Sequence, residues 1–318
     1  MMKKGEYNRG MEKINYNKII ANHSWIAEKG QKAIISPDID GILCGLLVSS
    51  YLDWTIVGFY DGKLLIVKEN ISAKDCIFLD MEILRKNISS FGHHMNLHNI
   101  NNPPEDYYEV LSHCINPNYI RKFDRVHTFA RKYPLGSIHF LMYILETNYP
   151  KLIKVKREGL ASLFFADGIW KILFKYTNNV FDWFNYLHTD KESAWWIELK
   201  QTSVIDLIEM INALLREFKR MDSDNKNWYG HIDISHFNEQ RILLDELLKL
   251  LSKLTGWNYD FNKWQIDNVK KYQFTKEIYE GYKSNAKFFE IWNKKPLSLA
   301  MTEGSIIQYT LEEPDKLP

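Results

Sequence analysis

Residues 36–45, Ser36-Pro37-Asp38-Ile39-Asp40-Gly41-Ile42-Leu43-Cys44-Gly45, set two acids one residue apart at the mouth of an apolar run. The preceding Lys32-Ala33-Ile34-Ile35 reads as a short buried strand. In a strand, residues i and i+2 point the same way, so Asp38 and Asp40 would aim two carboxylates into one space. Such a pair repels itself. A divalent cation relieves the repulsion with oxygen ligands, and a surface turn relieves it by hydration. After Gly41, the residues Ile42, Leu43, Leu46, Leu47 and Tyr51 recur at helical spacing, so the order is strand, acidic loop, helix.

The pattern continues outward. Thr55–Tyr60 and Leu64–Val67 flank Asp61-Gly62, a tight-turn signal between two strands. Cys76-Ile77-Phe78-Leu79 predicts a buried strand ending at Asp80, and Ile88–Phe91 another ending at Gly92-His93-His94. Polar residues thus collect just past successive apolar runs, where open α/β sheets place their ligand crevice. The alternation predicts an α/β fold with a mainly parallel sheet and flanking helices. From about residue 196 the texture changes. Val204, Leu207, Ile208, Met210, Ile211, Leu214 and Leu215 mark one amphipathic helix, and Ile242 to Leu251 mark another, with a loop over Asp222–Asn227 between them. Leu297–Met301 and Ile306–Thr310 bracket Thr302-Glu303-Gly304-Ser305 as a terminal hairpin. The expected domains are 1–195 and a mostly helical 196–318.

Composition narrows the function classes. The 41 Lys and Arg balance 40 Asp and Glu, so no global field favours long duplex DNA or an anionic membrane. Three cysteines without CxxC spacing fit a reduced cytoplasm and suggest no zinc site. No run approaches the ~18 apolar residues of a membrane span. The expectation is a soluble cytoplasmic protein with no membrane partner.

Asp38 and Asp40, then Asp80, His93 and His94, then Asp167 in Leu163-Phe164-Phe165-Ala166-Asp167-Gly168 resemble, in order and placement, the motifs of the DHH phosphoesterase superfamily. That superfamily includes RecJ-type exonucleases, oligoribonucleases, cyclic-dinucleotide phosphodiesterases and family II inorganic pyrophosphatases. The resemblance covers roughly the first 190 residues. It implies a two-metal site, usually Mn²⁺ with Mg²⁺ as the alternative, between an α/β domain and a C-terminal cap. Asp40, Asp80, His93 and Asp167 match the ligands of one metal, with Asp80 bridging. Asp38 and Asp80 match two ligands of the other. His94 matches a histidine that faces the substrate phosphate. The chain departs from the pattern where Ile34 and Ser36 stand at the two places for a histidine, and where Gly92 replaces the acid that precedes the two histidines. No Gly-rich, His-containing loop follows residue 202. The implied function is hydrolysis of phosphodiester bonds in a nucleotide, cyclic dinucleotide or short oligonucleotide. The alternative is a catalytically impaired DHH-like scaffold that binds nucleotides or proteins.

Each residue also has a plainer role open to it: Asp80 as the cap of a helix beginning at Met81, the histidines as a surface loop with His98, Asp167-Gly168 as a helix-end turn. On the substrate side, nine Lys and Arg against three acids between Ile120 and Leu160 make a local basic surface, which tracks a phosphate backbone or is a solvated face. Arg131 and Lys132 belong to it. Ser137 opens a helix carrying Ile138, Leu141, Met142 and Leu145, whose free amides would make a phosphate seat or whose hydroxyl would be a plain cap. Trp183 and Trp195-Trp196 read as core or interface. The Leu-rich C-terminal helices fit either a core or an interface with a second copy or a protein partner.

Overall fold

The structure is a computed structural model that describes residues 13–188, 192–222, 228–282 and 284–318. Most of the loop expected over Asp222–Asn227 therefore lies outside the described residues. Strands form at β1 (Lys32–Ile35), β2 (Thr55–Tyr60), β3 (Leu64–Lys68), β4 (Ile77–Leu79), β5 (Ser90–Phe91), β6 (Cys114–Ile115), β7 (Val269–Glu280), β8 (Ser298–Glu303) and β9 (Ile306–Pro314). They make one sheet in the order β6-β5-β4-β1-β2-β3-β7-β9-β8.

The expected parallel sheet is thus half of a mixed one. β6, β5, β4, β1 and β2 run parallel. β3, β7, β9 and β8 add antiparallel. The parallel core strands are buried on both faces, which explains their unbroken apolar reading. β7 was invisible to that pattern because most of its side chains are polar or partly exposed, yet it pairs with β3 from Leu64–Gln273 to Lys68–Val269. Strands from both sides of residue 195 therefore share one sheet.

The sheet also curls back on itself. The Met301 amide bonds the Met95 carbonyl at 2.8 Å, and the Leu84 amide bonds the Leu297 carbonyl at 2.8 Å. Arg85 donates to the carbonyls of Pro296 and Lys295 and pairs with Glu312. The terminal hairpin is in this way pinned over the loops that follow β4 and β5.

Helices Ile39–Tyr51 and Ser137–Asn148 pack together under the parallel strands, with nearly every residue of the first and most of the second buried. Helices Val204–Met221 and Phe237–Thr255 lay Leu207, Ile211, Leu214, Phe218, Leu244, Leu247, Leu248 and Leu251 into the core, packing on helix Gly159–Phe165. Their apolar faces thus serve a core role. Trp183 and Trp195 are fully buried. Among the described residues, no helix is long and apolar enough to cross a membrane.

Candidate metal centre

The cluster is assembled from four backbone devices. β1 ends at Ile35, so Asp38 and Asp40 are not a strand-end pair. Asp38 instead caps helix Ile39–Tyr51, accepting from the Gly41 amide at 3.1 Å, and Asp40 lies in that helix's first turn. They differ in exposure: Asp38 borders a cleft, whereas Asp40 is 1% exposed. Gly41 is required here, because a Cβ would stand 2.8 Å from the Ser36 backbone nitrogen.

Asp80 follows β4 with φ +67°, in the left-handed region that a non-glycine residue rarely adopts. The chain after it is not helical, so the role of helix cap is excluded and the strained turn instead aims the carboxylate inward. Asp167 has φ +51° and Gly168 φ +65°, and these two left-handed residues break the chain between helices Gly159–Phe165 and Ile169–Lys175. The break presents Asp167 to the cluster with its side chain 34% exposed. His93 and His94 follow β5 and stack with ring centroids 4.4 Å apart.

His93 sits at the centre. Its Nδ1 is 3.5 Å from Asp80 Oδ1 and 3.8 Å from Asp40 Oδ2, and its Nε2 is 3.2 Å from Asp167 Oδ2. One donor atom from each of Asp40, His93 and Asp167 falls within 4.8 Å of the others. Ligands each ~2.1 Å from one small cation lie ~3–4.2 Å apart, so the donors would draw together by up to roughly 1–2 Å to share an ion.

Two serine hydroxyls tie the acids together. Ser36 Oγ lies 2.9 Å from Asp38 Oδ1 and 2.5 Å from Asp80 Oδ2, and Ser137 Oγ lies 2.7 Å from Asp80 Oδ1 and 2.9 Å from His93 Nδ1. One hydroxyl carries one proton. Ser36 can satisfy both carboxylates only if a further proton resides on one of them. The electrostatics say which: burial, then repulsion from Asp80 and Asp167, pushes Asp38 up to about 8. Burial and the same neighbours drive Asp40 well above the carboxylate range. Burial pulls Asp80 the same way, but the His93 hydrogen bond and charge, with His94 and Ser36, hold it at about 2.

Ser137 is not the cap of its helix, a place taken by Gly136, and the helix's first amides do not await a phosphate. The Ser137 and Ile138 amides donate to Asp40 Oδ2 at 2.6 Å and Oδ1 at 2.9 Å. The helix N-terminus holds a ligand of the centre in place, and its positive end favours the carboxylate charge.

Arg131 and Lys132 are positioned otherwise than the sequence suggested. Arg131 lies at the surface and pairs with Asp182 at 3.1 Å, and Lys132 Nζ donates to the Thr302 carbonyl at 2.8 Å, tying the hairpin to the loop before Ser137. His94, in contrast, lines the cleft together with Asp38, Asp80 and Asp167. Burial would lower His94, but the carboxylates of Glu82, Asp80 and Asp167 raise it to about 9.

That cleft holds about 270 Å³, with Ser298, Gln308 and Thr310 of the terminal hairpin, Lys276 of β7 and His231 forming its opposite wall. Lys276 Nζ donates to the Asp61 carbonyl at 3.0 Å. Sequence reading missed this wall, and missed Glu82, Asn116 and Asn118. Asn118 Nδ2 donates to the His93 carbonyl at 2.7 Å, and Asn116 Nδ2 to the His94 carbonyl at 2.7 Å. Asn116 followed by Pro117 is a helix-start signal and would have placed a capped turn there, though not its contact with the histidines. No protein-family model, curated protein or solved structure matches this chain.

Proposed function

We propose that the protein is a metal-dependent phosphoesterase of the DHH kind, hydrolysing phosphodiester bonds in a nucleotide, a cyclic dinucleotide or a short oligonucleotide. The observation that carries this reading is the meeting of Asp40, Asp80, His93 and Asp167, from four separate turns of the chain, at the edge of a cleft where His94 waits. The donor set of one imidazole and several carboxylates suits Mn²⁺, with Mg²⁺ as the harder alternative. Asp40, His93 and Asp167 would hold the ion, with Asp80 beside them. Asp38 and Asp80 offer a second ion only two protein ligands. A divalent cation there would polarise a phosphoryl oxygen and lower the pKa of water. The chain's own contribution is to fix the acids against helix Ser137–Asn148, to hold His94 as a cation toward the phosphate, and to limit the substrate to what a cleft of about 270 Å³ admits.

A second reading, a scaffold that binds a nucleotide without cleaving it, draws on Ser36. Its hydroxyl occupies the space between Asp38 and Asp80 where an imidazole would serve a second ion. A Mn²⁺ titration separates the two. The parent should hydrolyse a phosphodiester only at Mn²⁺ well above the level that fills its tight site, and Ser36→His should move the activity curve to lower Mn²⁺. If Asp38→Ala is as active as the parent, the two-metal reading fails. If every variant binds nucleotide and none cleaves any, the scaffold reading stands.

A further inference from the structure

Glu82, two residues after Asp80, is 3% exposed, a carboxylate buried outside the proposed ligand set. Its Oε1 accepts from the His94 amide at 2.7 Å and from Asn116 Nδ2 at 2.7 Å, while its Oε2 lies 3.3 Å from His94 Nδ1. It therefore grips one histidine at both backbone and ring. The space it fills belongs, by backbone geometry, to another residue: a Cβ added at Gly92 would stand 2.6 Å from Glu82 Cδ, and closer still to Oε1. Gly92 has no positive φ to account for its being glycine. Its missing side chain leaves room both for this carboxylate and for the Met81 backbone, whose carbonyl carbon a Cβ would meet at 2.9 Å.

We propose that Glu82 is the positioning residue of His94, supplying from the loop after β4 the carboxylate absent beside the two histidines, and that Gly92 and Glu82 act as one coupled pair. The role attributed to His94 rests on the phosphoesterase reading; the coupling does not. A buried carboxylate needs its lone pairs filled and a counter-charge. The His94 amide, Asn116 and the His94 ring supply both. The arrangement orients the ring by its Nδ1 edge and leaves the opposite edge of the imidazole to the cleft.

The experiment is a double-mutant cycle of Glu82→Ala and Gly92→Ala, with Glu82→Gln as the shape-preserving variant should the others fold poorly. Either single change should raise KM for a phosphodiester about tenfold in the Mn²⁺-loaded protein, and their combination should cost clearly less than the sum of the two. Mn²⁺ content should stay at the parent's level throughout, because His94 is not among the proposed ligands. Additive losses in the double variant, or an unchanged KM in all three, would overturn the proposal, as would loss of Mn²⁺ in Glu82→Gln. If the parent cleaves no phosphodiester, the enzymatic reading fails by itself, and the coupling is then read from crystals of Glu82→Gln and Gly92→Ala. A turned His94 ring in both supports the pair, and a ring that stays in place in either refutes it.

Discussion

The carboxylates around Asp80 and the cations between Arg121 and Arg157 are both concentrations of like charge, and the fold treats them in opposite ways. Most of the cations lie toward the surface, Arg121 excepted, and several are matched. Arg121 and Arg131 share Asp182, Arg157 takes Asp206, and Arg125 and Lys132 reach carbonyls of the terminal hairpin loop. The acids are gathered into a largely buried space where two hydroxyls, three backbone amides and the histidines give relief. Exposed pairs contribute ~0–1 kcal/mol each and impose nothing on function. A buried cluster of unmatched acids must take up protons or a cation. Burial, more than local density of charge, separates the candidate site from a solvated face.

The comparison breaks most sharply at Asp80. Asp80→Ala removes the carboxylate that touches Ser36, Ser137 and His93, and should weaken Mn²⁺ binding by more than ~100-fold, the upper end of what losing an outer-shell partner alone costs. Elemental analysis of equally pure samples measures it, and full Mn²⁺ content in the variant would remove Asp80 from the centre.

The next effect is on pH and stability. Asp38 rises from 3.8 to about 8 in the folded metal-free protein, so the native state keeps a proton that the unfolded chain releases. The stability this contributes is complete below pH ~4 and lost as pH rises through about 8. Asp40 acts in the same direction. Asp80, held at about 2, contributes stability that is present above ~4 and lost as pH falls through about 2. His94, raised to about 9, adds stability below pH ~6.5 that is lost as pH climbs through about 9. Thermal unfolding of the metal-free protein should therefore peak on the acid side of neutrality and decline toward pH 8, while saturating Mn²⁺ should cancel most of that decline and release protons from Asp40 and Asp38 as it binds. A flat profile between pH 5 and 8 without metal would contradict the shared-proton account of Ser36.

Removing the hydroxyl itself should cost less. Ser36→Ala leaves Asp38 and Asp80 without their bridge and should destabilise the metal-free protein by about 1–3 kcal/mol, with a smaller loss once Mn²⁺ is bound. Denaturant titration with and without metal reads the difference.

The smallest effect belongs to the basic side. Arg131→Gln removes a surface cation already paired with Asp182 and should change nucleotide affinity less than twofold, with no change in its salt dependence. A flattened salt slope would return the basic stretch to the substrate path and blur the contrast.

The strands and helices that place the centre were legible in the sequence wherever burial was complete. β1, β2, β4 and helix Ile39–Tyr51 are largely apolar and buried, and the polar residues just past β1 and β4 join the cluster. The turn at Asp61-Gly62 and the hairpin of β8 and β9 were equally readable, because turn chemistry is local. Two-residue strands such as β6, and β7 with its polar faces, carry too little pattern to be seen alone.

What the sequence determined by itself was the kind and order of the groups: acid pair, acid, two histidines, acid, each beside an apolar segment. Only the tertiary structure decided which of them share a space. Asp38 and Asp40, two residues apart, take different partners because a helix begins between them: Asp38 bonds Ser36 and the Gly41 amide, Asp40 the amides of Ser137 and Ile138. Glu82 and Gly92, ten residues apart, occupy one side-chain volume. The amides of Ser137 and Ile138 serve Asp40 rather than a ligand, and Lys132 reaches Thr302 across 170 residues. Local chemistry follows from residue type and spacing, whereas the partner of a buried charge follows from chain closure, which no window of sequence contains.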